Sequence, residues 1–491
     1  MKTLSRFAVV LLASLSVTAC VGDRTGTDVN NLDDRFDDQH QHDDRPEDCT
    51  FIQGSVYLPG DESELDGPCF IISEDLRIRG ESSGLDSLRD ASSIEVGGSV
   101  TVIDADKIET LDFLAPLTSV GEDLRIAENL DLIAVDTLRH LELVEGDIEI
   151  SDNPDVKTVQ RFDALERVGS DILIQRNDTL QDLRGFNELV YLAEYDSRRE
   201  RPERGQDDGL TGGGDWNAPV DPHLIVTDNP KLLEVRGFSE LTDVDGDVRF
   251  ENNDSLRQIR GFDSLEFVTG RLILRNLPNL QTPANLVRTS CLSEVVIDNV
   301  PVQDLSAFDS VFEIGRLRVA NAASLTSLDG LREDVILHGP VIVESNPKLE
   351  TLDGIADITT VQAHQMRLNN LTDEYRRTEN RLCVDPEASN QRGDVVIRGN
   401  QQLSSLGELA LASVGGRLVI EDNDALVSLQ GLEQLQTVGS VEILDNDALA
   451  AVSGFSNLTS VTSSILVESN DALESISGFD TLRELAWNDE V

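Results

Sequence analysis

From about residue 70 onward, an asparagine returns every 23 to 24 residues with the same apolar company behind it. After Asn423 come Leu426, Leu429, Gly431, Leu432, Leu435 and Val438, then Val441 and Ile443 before Asn446. Asn446 and Asn470 open the same pattern, with Phe455 and Phe479 in the place of Leu432. Asn129, Asn153, Asn177, Asn229, Asn253, Asn346 and Asn400 fit the frame, which falters at Glu81 and Ala105 in the first coils and at Leu277 and Ala322 mid-array. A unit of this length cannot bury its apolar face alone, so neighbouring units must stack to make a core. A length of 491 residues would otherwise suggest several globular domains; the repeat replaces that expectation with one solenoid over 49–491.

Just before each Asn an apolar alternation, such as Leu418-Val419-Ile420 or Ile172-Leu173-Ile174, marks a short strand with its first and third side chains inward. Stacked coils then form a parallel sheet. The Asn itself is expected to turn inward and bond the backbone of its own and adjacent turns, because a buried bend leaves peptide groups that need partners. The glycine behind it permits backbone conformations closed to other residues, and the Leu, Phe and Val positions fill the tube.

These residues resemble the receptor L domains in a long bacterial form. The resemblance is carried by Gly121-Glu122-Asp123-Leu124-Arg125-Ile126, by Asp422-Asn423-Asp424-Ala425-Leu426 and by Gly431-Leu432-Glu433-Gln434-Leu435-Gln436-Thr437-Val438-Gly439. It implies a mainly β, right-handed, leucine-rich-repeat-like parallel β-helical solenoid that recognises a protein or other ligand at a cell surface, and it carries over no catalytic residue. About sixteen coils at about 4.8 Å per strand would make a rod of roughly 75 Å. Trp487 is placed to cover the last coil.

The first nineteen residues read as an export signal: Lys2 and Arg6, the apolar run Phe7 to Leu15, then Val17-Thr18-Ala19 before Cys20. That ending looks like a bacterial lipobox, which makes Cys20 the lipidation site; Val21 after it favours the outer membrane, facing the surface or the periplasm. Residues 20–48 are acidic and almost free of apolar side chains, so they read as a disordered tether, in which His40 and His42 suggest no more than a solvated linker. An oxidising compartment permits a disulfide between Cys49 and Cys69, which bracket the first coil. That pair also matches the N-terminal staple of the receptor L domains. Cys291 and Cys383 are left free or bridged, and no Cys/His spacing suggests a metal site.

A formal charge of -52, from 92 acidic against 40 basic residues, excludes nucleic acid as a partner. It leaves room for calcium, but no cofactor is expected. HExxH, G-x-S-x-G and phosphate-loop patterns are missing. Some parallel β-helices cleave polysaccharides with paired carboxylates, but aromatic platforms for sugar rings are scarce at 4% Phe, Trp and Tyr. The expectation is a binding or adhesion protein and not an enzyme, with a rigid envelope spacer as the alternative.

Two insertions break the period, and insertions in a solenoid gather on one face, often the binding face. The first, about 193–222, carries Arg198, Arg199, Arg201, Arg204 and Trp216; the second, about 371–393, carries Tyr375 and Arg376. Arginine and tryptophan in one loop is the composition of a recognition hot spot, against the plainer reading of an insertion paired with nearby carboxylates. The outward strand positions Leu173, Ile225, Ile273, Ile342, Val396, Val419 and Leu466 are expected to line up as a partly apolar strip, interspersed with Arg125, Arg249 and Glu442, that could dock a partner or a second copy. Strand preference for branched side chains accounts for the same pattern without a partner.

Overall fold

The computed structural model describes residues 49–192, 222–281, 291–332, 335–355, 360–361, 393–407 and 409–485. The chain divides into two units, residues 1–46 and 47–491. The expected signal segment and tether, with Cys20, His40 and His42, lie outside the described residues, as do Cys383 and Trp487.

The second unit is a mainly β solenoid of about 15 turns with all its sheets parallel. Each complete coil makes three sides. The longest ladder runs from Val56–Leu58 to Ile465–Glu468 and includes Ile148–Ser151, Ile172–Gln175, Leu224–Thr227 and Val248–Glu251. A second ladder includes Leu143–Val144, Arg167–Val168, Tyr191–Leu192 and Asp243–Val244, and a short third side includes Thr158–Val159, Asp182–Leu183 and Glu234–Val235. Pairings join successive coils in strict register, as in Ile148↔Ile172, Ile172↔Leu224 and Leu224↔Val248, so the long ladder is a stack and not a barrel. In later coils the second and long sides run on as single strands, such as Cys291–Asp298, Glu313–Ala320 and Ser413–Glu421.

The alternation read from sequence sets which side chains enter the tube: Ile172 and Ile174 are fully buried and Leu173 between them is half-buried. Phe162, Phe186, Phe238 and Phe262, one per coil, stack with ring centroids 4.4, 5.1 and 5.0 Å apart. The glycine before three of these rings is required by geometry. Gly185 and Gly237 have φ of 100° and 96°, and a Cβ on Gly237 would strike the backbone nitrogen of Gly185 one coil below.

At the next corner the asparagines form an internal ladder in two runs. Asn177 Oδ1 accepts the backbone N–H of Asn153 at 3.2 Å, and its Nδ2 donates to Ile150 O at 2.9 Å and Gln175 O at 3.0 Å. The same bonds repeat from Asn129 to Asn253 and from Asn346 to Asn470. Each amide satisfies peptide groups that the tight turn removes from water. Where the frame falters, Ala105 and Ala322 still donate their N–H to the Asn one coil on, at 3.1 and 2.9 Å. Beside exposed Glu81 the chain forms a helix, Gly84–Asp90, which buries Leu85 and Leu88 against the first coils. A disulfide joins Cys49 to Cys69 at the start of the array.

Candidate functional site

The corner between the second and long ladders positions the candidate site. In regular coils it is a turn of a few residues, closed by a side chain that accepts the amide opening the next coil's strand. Asp123 Oδ1 accepts the Asp147 N–H at 2.9 Å, Asp147 Oδ1 accepts the Asp171 N–H at 3.0 Å, and Asp171 Oδ1 accepts the His223 N–H at 2.7 Å. His223 Nδ1 then accepts the Asp247 N–H at 2.8 Å, and Asp247 Oδ1 the Arg271 N–H at 2.6 Å. The sequence reading missed this second ladder. Its signal was the run Asp123, Asp147 and Asp171, 24 residues apart before successive long-ladder strands, hidden among 92 acidic residues.

Both insertions fall at this same corner. Leu192 ends a second-ladder strand paired with Val168 and Val244, and the described chain resumes at Pro222, just before Leu224–Thr227 of the long ladder. Val361 pairs with Val414 on the second-ladder side, and the chain resumes at Gly393, just before Val395–Arg398. Arg198, Arg199, Arg201, Arg204, Trp216, Tyr375 and Arg376 lie outside the described residues. Cys291 begins the strand Cys291–Asp298.

Between these two corners the long ladder presents the strands from Leu224–Thr227 to Val395–Arg398, a width of about 29 Å at about 4.8 Å per step. Their outward positions carry arginines held by carboxylates of their own and neighbouring coils. Asp247, only 3% exposed, binds both Arg249 and Arg271. Glu344, 6% exposed, binds both Arg318 and Arg398, the latter at 2.7 Å. Arg275 reaches Glu251 at 3.1 Å, and Arg316 reaches Glu294 at 3.1 Å. Burial alone would raise the Asp247 carboxyl, but the guanidiniums of Arg271 and Arg249 outweigh it and hold the group below the ordinary aspartate range.

The apolar positions do fall in line, through Leu173↔Ile225, Ile273↔Val296, Ile342↔Val396 and Val396↔Val419. Leu173, Ile225, Ile342 and Val396 are half-buried, so the strip is partly open to solvent. Ile273 and Val419 are each 5% exposed and Val296 3%, and Leu466 near the end of the array, at 43%, is the most open of the row. Arg249 and Arg318 stand beside Ile273 and Val296 in register, and a long arginine stem covers neighbouring methyl groups while its head stays in water. The face is therefore a paired-charge surface over a partly buried apolar floor.

A shallow groove on the asparagine corner, lined by Asp152, Arg176, Asp228 and Asn252, offers less: Asp152 already clamps Arg176 with two bonds of 2.7 Å. Among the described residues no group of three or more His, Cys, Asp or Glu side chains is arranged to hold a metal ion. No helix among them is long and apolar enough to cross a membrane. Compared with known proteins, the sequence matches no protein-family model and none of the curated proteins.

Proposed function

We propose that this chain is a recognition module of the receptor L type, an exported lipoprotein anchored through Cys20 that binds a protein or other cell-surface ligand on the long-ladder face between its two insertions. One observation carries the reading: both insertions leave the coil at the same corner and bracket the strands that concentrate Arg249, Arg271, Arg275, Arg316, Arg318 and Arg398 on a chain of net charge -52. Carboxylate-paired arginines over a partly buried apolar floor resemble a protein interface more than a solvated spacer. The acidic remainder disfavours wrong partners of like charge and speeds encounter with basic ones.

The test is capture of envelope and cell-surface proteins by the labelled full chain, with and without calcium. The wild-type chain is compared with Arg198→Ala/Arg199→Ala/Trp216→Ala and with Arg249→Glu/Arg318→Glu. A single partner held by wild type and lost by both variants supports the face as the site. Retention by both variants places binding elsewhere, and capture of nothing by any of the three favours the spacer.

A further inference from the structure

The ladder at the insertion corner is built almost wholly from carboxylates. Asp75, Asp123, Asp147, Asp171, Asp247 and Asp394 each accept the amide that begins a strand one coil on, at 2.6 to 3.0 Å. Ser99 fills one further place with its hydroxyl, accepting the Asp123 N–H at 3.3 Å. His223 fills another with Nδ1, accepting the Asp247 N–H at 2.8 Å. Because the donor is a peptide N–H, the ring nitrogen facing it must offer a lone pair, and the ring proton sits on Nε2. A carboxylate keeps accepting far into acid; an imidazole stops when it takes its second proton.

We propose that His223 is a proton-sensitive joint in this ladder. On protonation it loses the lone pair that holds Asp247, and the stack loosens between the coil of Leu224–Thr227 and that of Val248–Glu251, where the chain has just returned from the first insertion. The inference does not depend on what the face binds. The consequence reaches past one hydrogen bond, because Asp247 also holds Arg249, Arg271 and the Arg271 N–H.

The groups facing the ring come from both neighbouring coils. Asp171 lies on the preceding side, accepting the His223 N–H, while Asp247, Arg249 and Arg271 lie on the following side. Burial pushes the ring below the ordinary imidazole value of 6.5; Asp247 pulls the other way, and Arg249 and Arg271 add to the depression. A histidine lowered by folding contributes stability that is complete above its unfolded value and is lost as pH falls through the folded one. Loosening therefore belongs to the acid side of neutrality.

Hydrogen exchange of the full chain tests this on the peptide containing Asp247, expressed as protection relative to the free peptide, at about pH 7.5 and about pH 5. The expected result is a loss of protection at acid pH, up to about tenfold for each pH unit by which the ring is depressed. Peptides containing Asp147 and Asp171 should keep their protection, and His223→Asp should hold the Asp247 peptide constant across the range. No acid loss in wild type, or an equal loss in His223→Asp, overturns the proposal. Ring nitrogen shifts of the labelled wild-type protein decide without any variant: an unprotonated Nδ1 at neutral pH that protonates as protection falls supports the joint, and a protonated Nδ1 at neutral pH overturns it.

Discussion

Two stretches of the same solenoid solve one problem in opposite ways. From Asn129 to Asn253 the corner after each long-ladder strand is satisfied from inside, by a buried amide, with stacked phenylalanines behind it. From Leu277 to Ala322 that inner place is held by Leu277, Val300 and Ala322, all buried and with side chains that cannot hydrogen-bond. There the amides sit one residue earlier and outside. Asn276 Nδ2 donates to Asn252 Oδ1 at 2.7 Å, Asn299 to Asn276 at 3.1 Å, and Asn321 to Asp298 at 2.7 Å. These residues have φ of 52° to 57°, a left-handed conformation that asparagine tolerates better than most side chains. At Leu277 the backbone closes the corner itself, its N–H donating to Asn299 O at 3.1 Å, so the stack meets these peptide groups without an inner amide.

The difference predicts unequal costs. Asn177→Ala strands the Asn153 N–H and the carbonyls of Ile150 and Gln175 inside the tube. Unpaired buried groups cost about 1–3 kcal/mol each, so the loss should reach about 3–5 kcal/mol. Hydrogen exchange over residues 148–183 measures it locally; a loss below about 1 kcal/mol would mean that the inner ladder is dispensable.

Glu344→Ala probes the outer region next. It removes the carboxylate shared by Arg318 and Arg398, but both guanidiniums stay partly in water, with side-chain exposures of 29% and 51%. The cost should therefore fall to about 1–3 kcal/mol, below that of breaking a fully buried pair. Urea unfolding in low and high salt checks both the size and the origin, since an ionic contribution shrinks with salt. Asn276→Gly should cost less again, below about 1 kcal/mol, because two solvent-exposed bonds are lost while glycine relieves the left-handed backbone. Equal effects of Asn177→Ala and Asn276→Gly would erase the distinction between the two regions.

Much of this architecture was legible because it is periodic. Spacing alone located the coils, the inward strand positions and the asparagine ladder, since each depends on residues that recur at one interval. Contacts between coils were not legible. Arg398 meets Glu344 across 54 residues and His223 meets Asp171 across 52, because an insertion lies between each pair. The corner aspartates were periodic too, but an acidic side chain is ordinary in this composition, whereas a buried Asn is not. The exposure of Ile273 and Val419 could not be read from their own strands, as it is set by the side chains of neighbouring coils.

Two insertion-side corners within the first region differ as well, and there the smallest effect is expected. Asp247 is buried with two guanidiniums against it and is held below the usual carboxylate range. Glu145, at the equivalent corner three coils earlier, is half-buried; burial raises its carboxyl, and Arg167 offsets this only in part. An acid raised by folding contributes stability that is present below its unfolded value, near 4.5, and is lost as pH rises through the folded value. Glu145→Gln should therefore stabilise the Leu143–Ser151 coil slightly at neutral pH and leave it unchanged below about pH 4, where wild type is already protonated. Asp247→Asn should do the reverse, weakening its coil at neutral pH, because it removes a charge that two arginines require. Urea midpoints of both variants at the two pH values test the contrast, and a shift of the same sign in both would show that local cations do not distinguish the two corners.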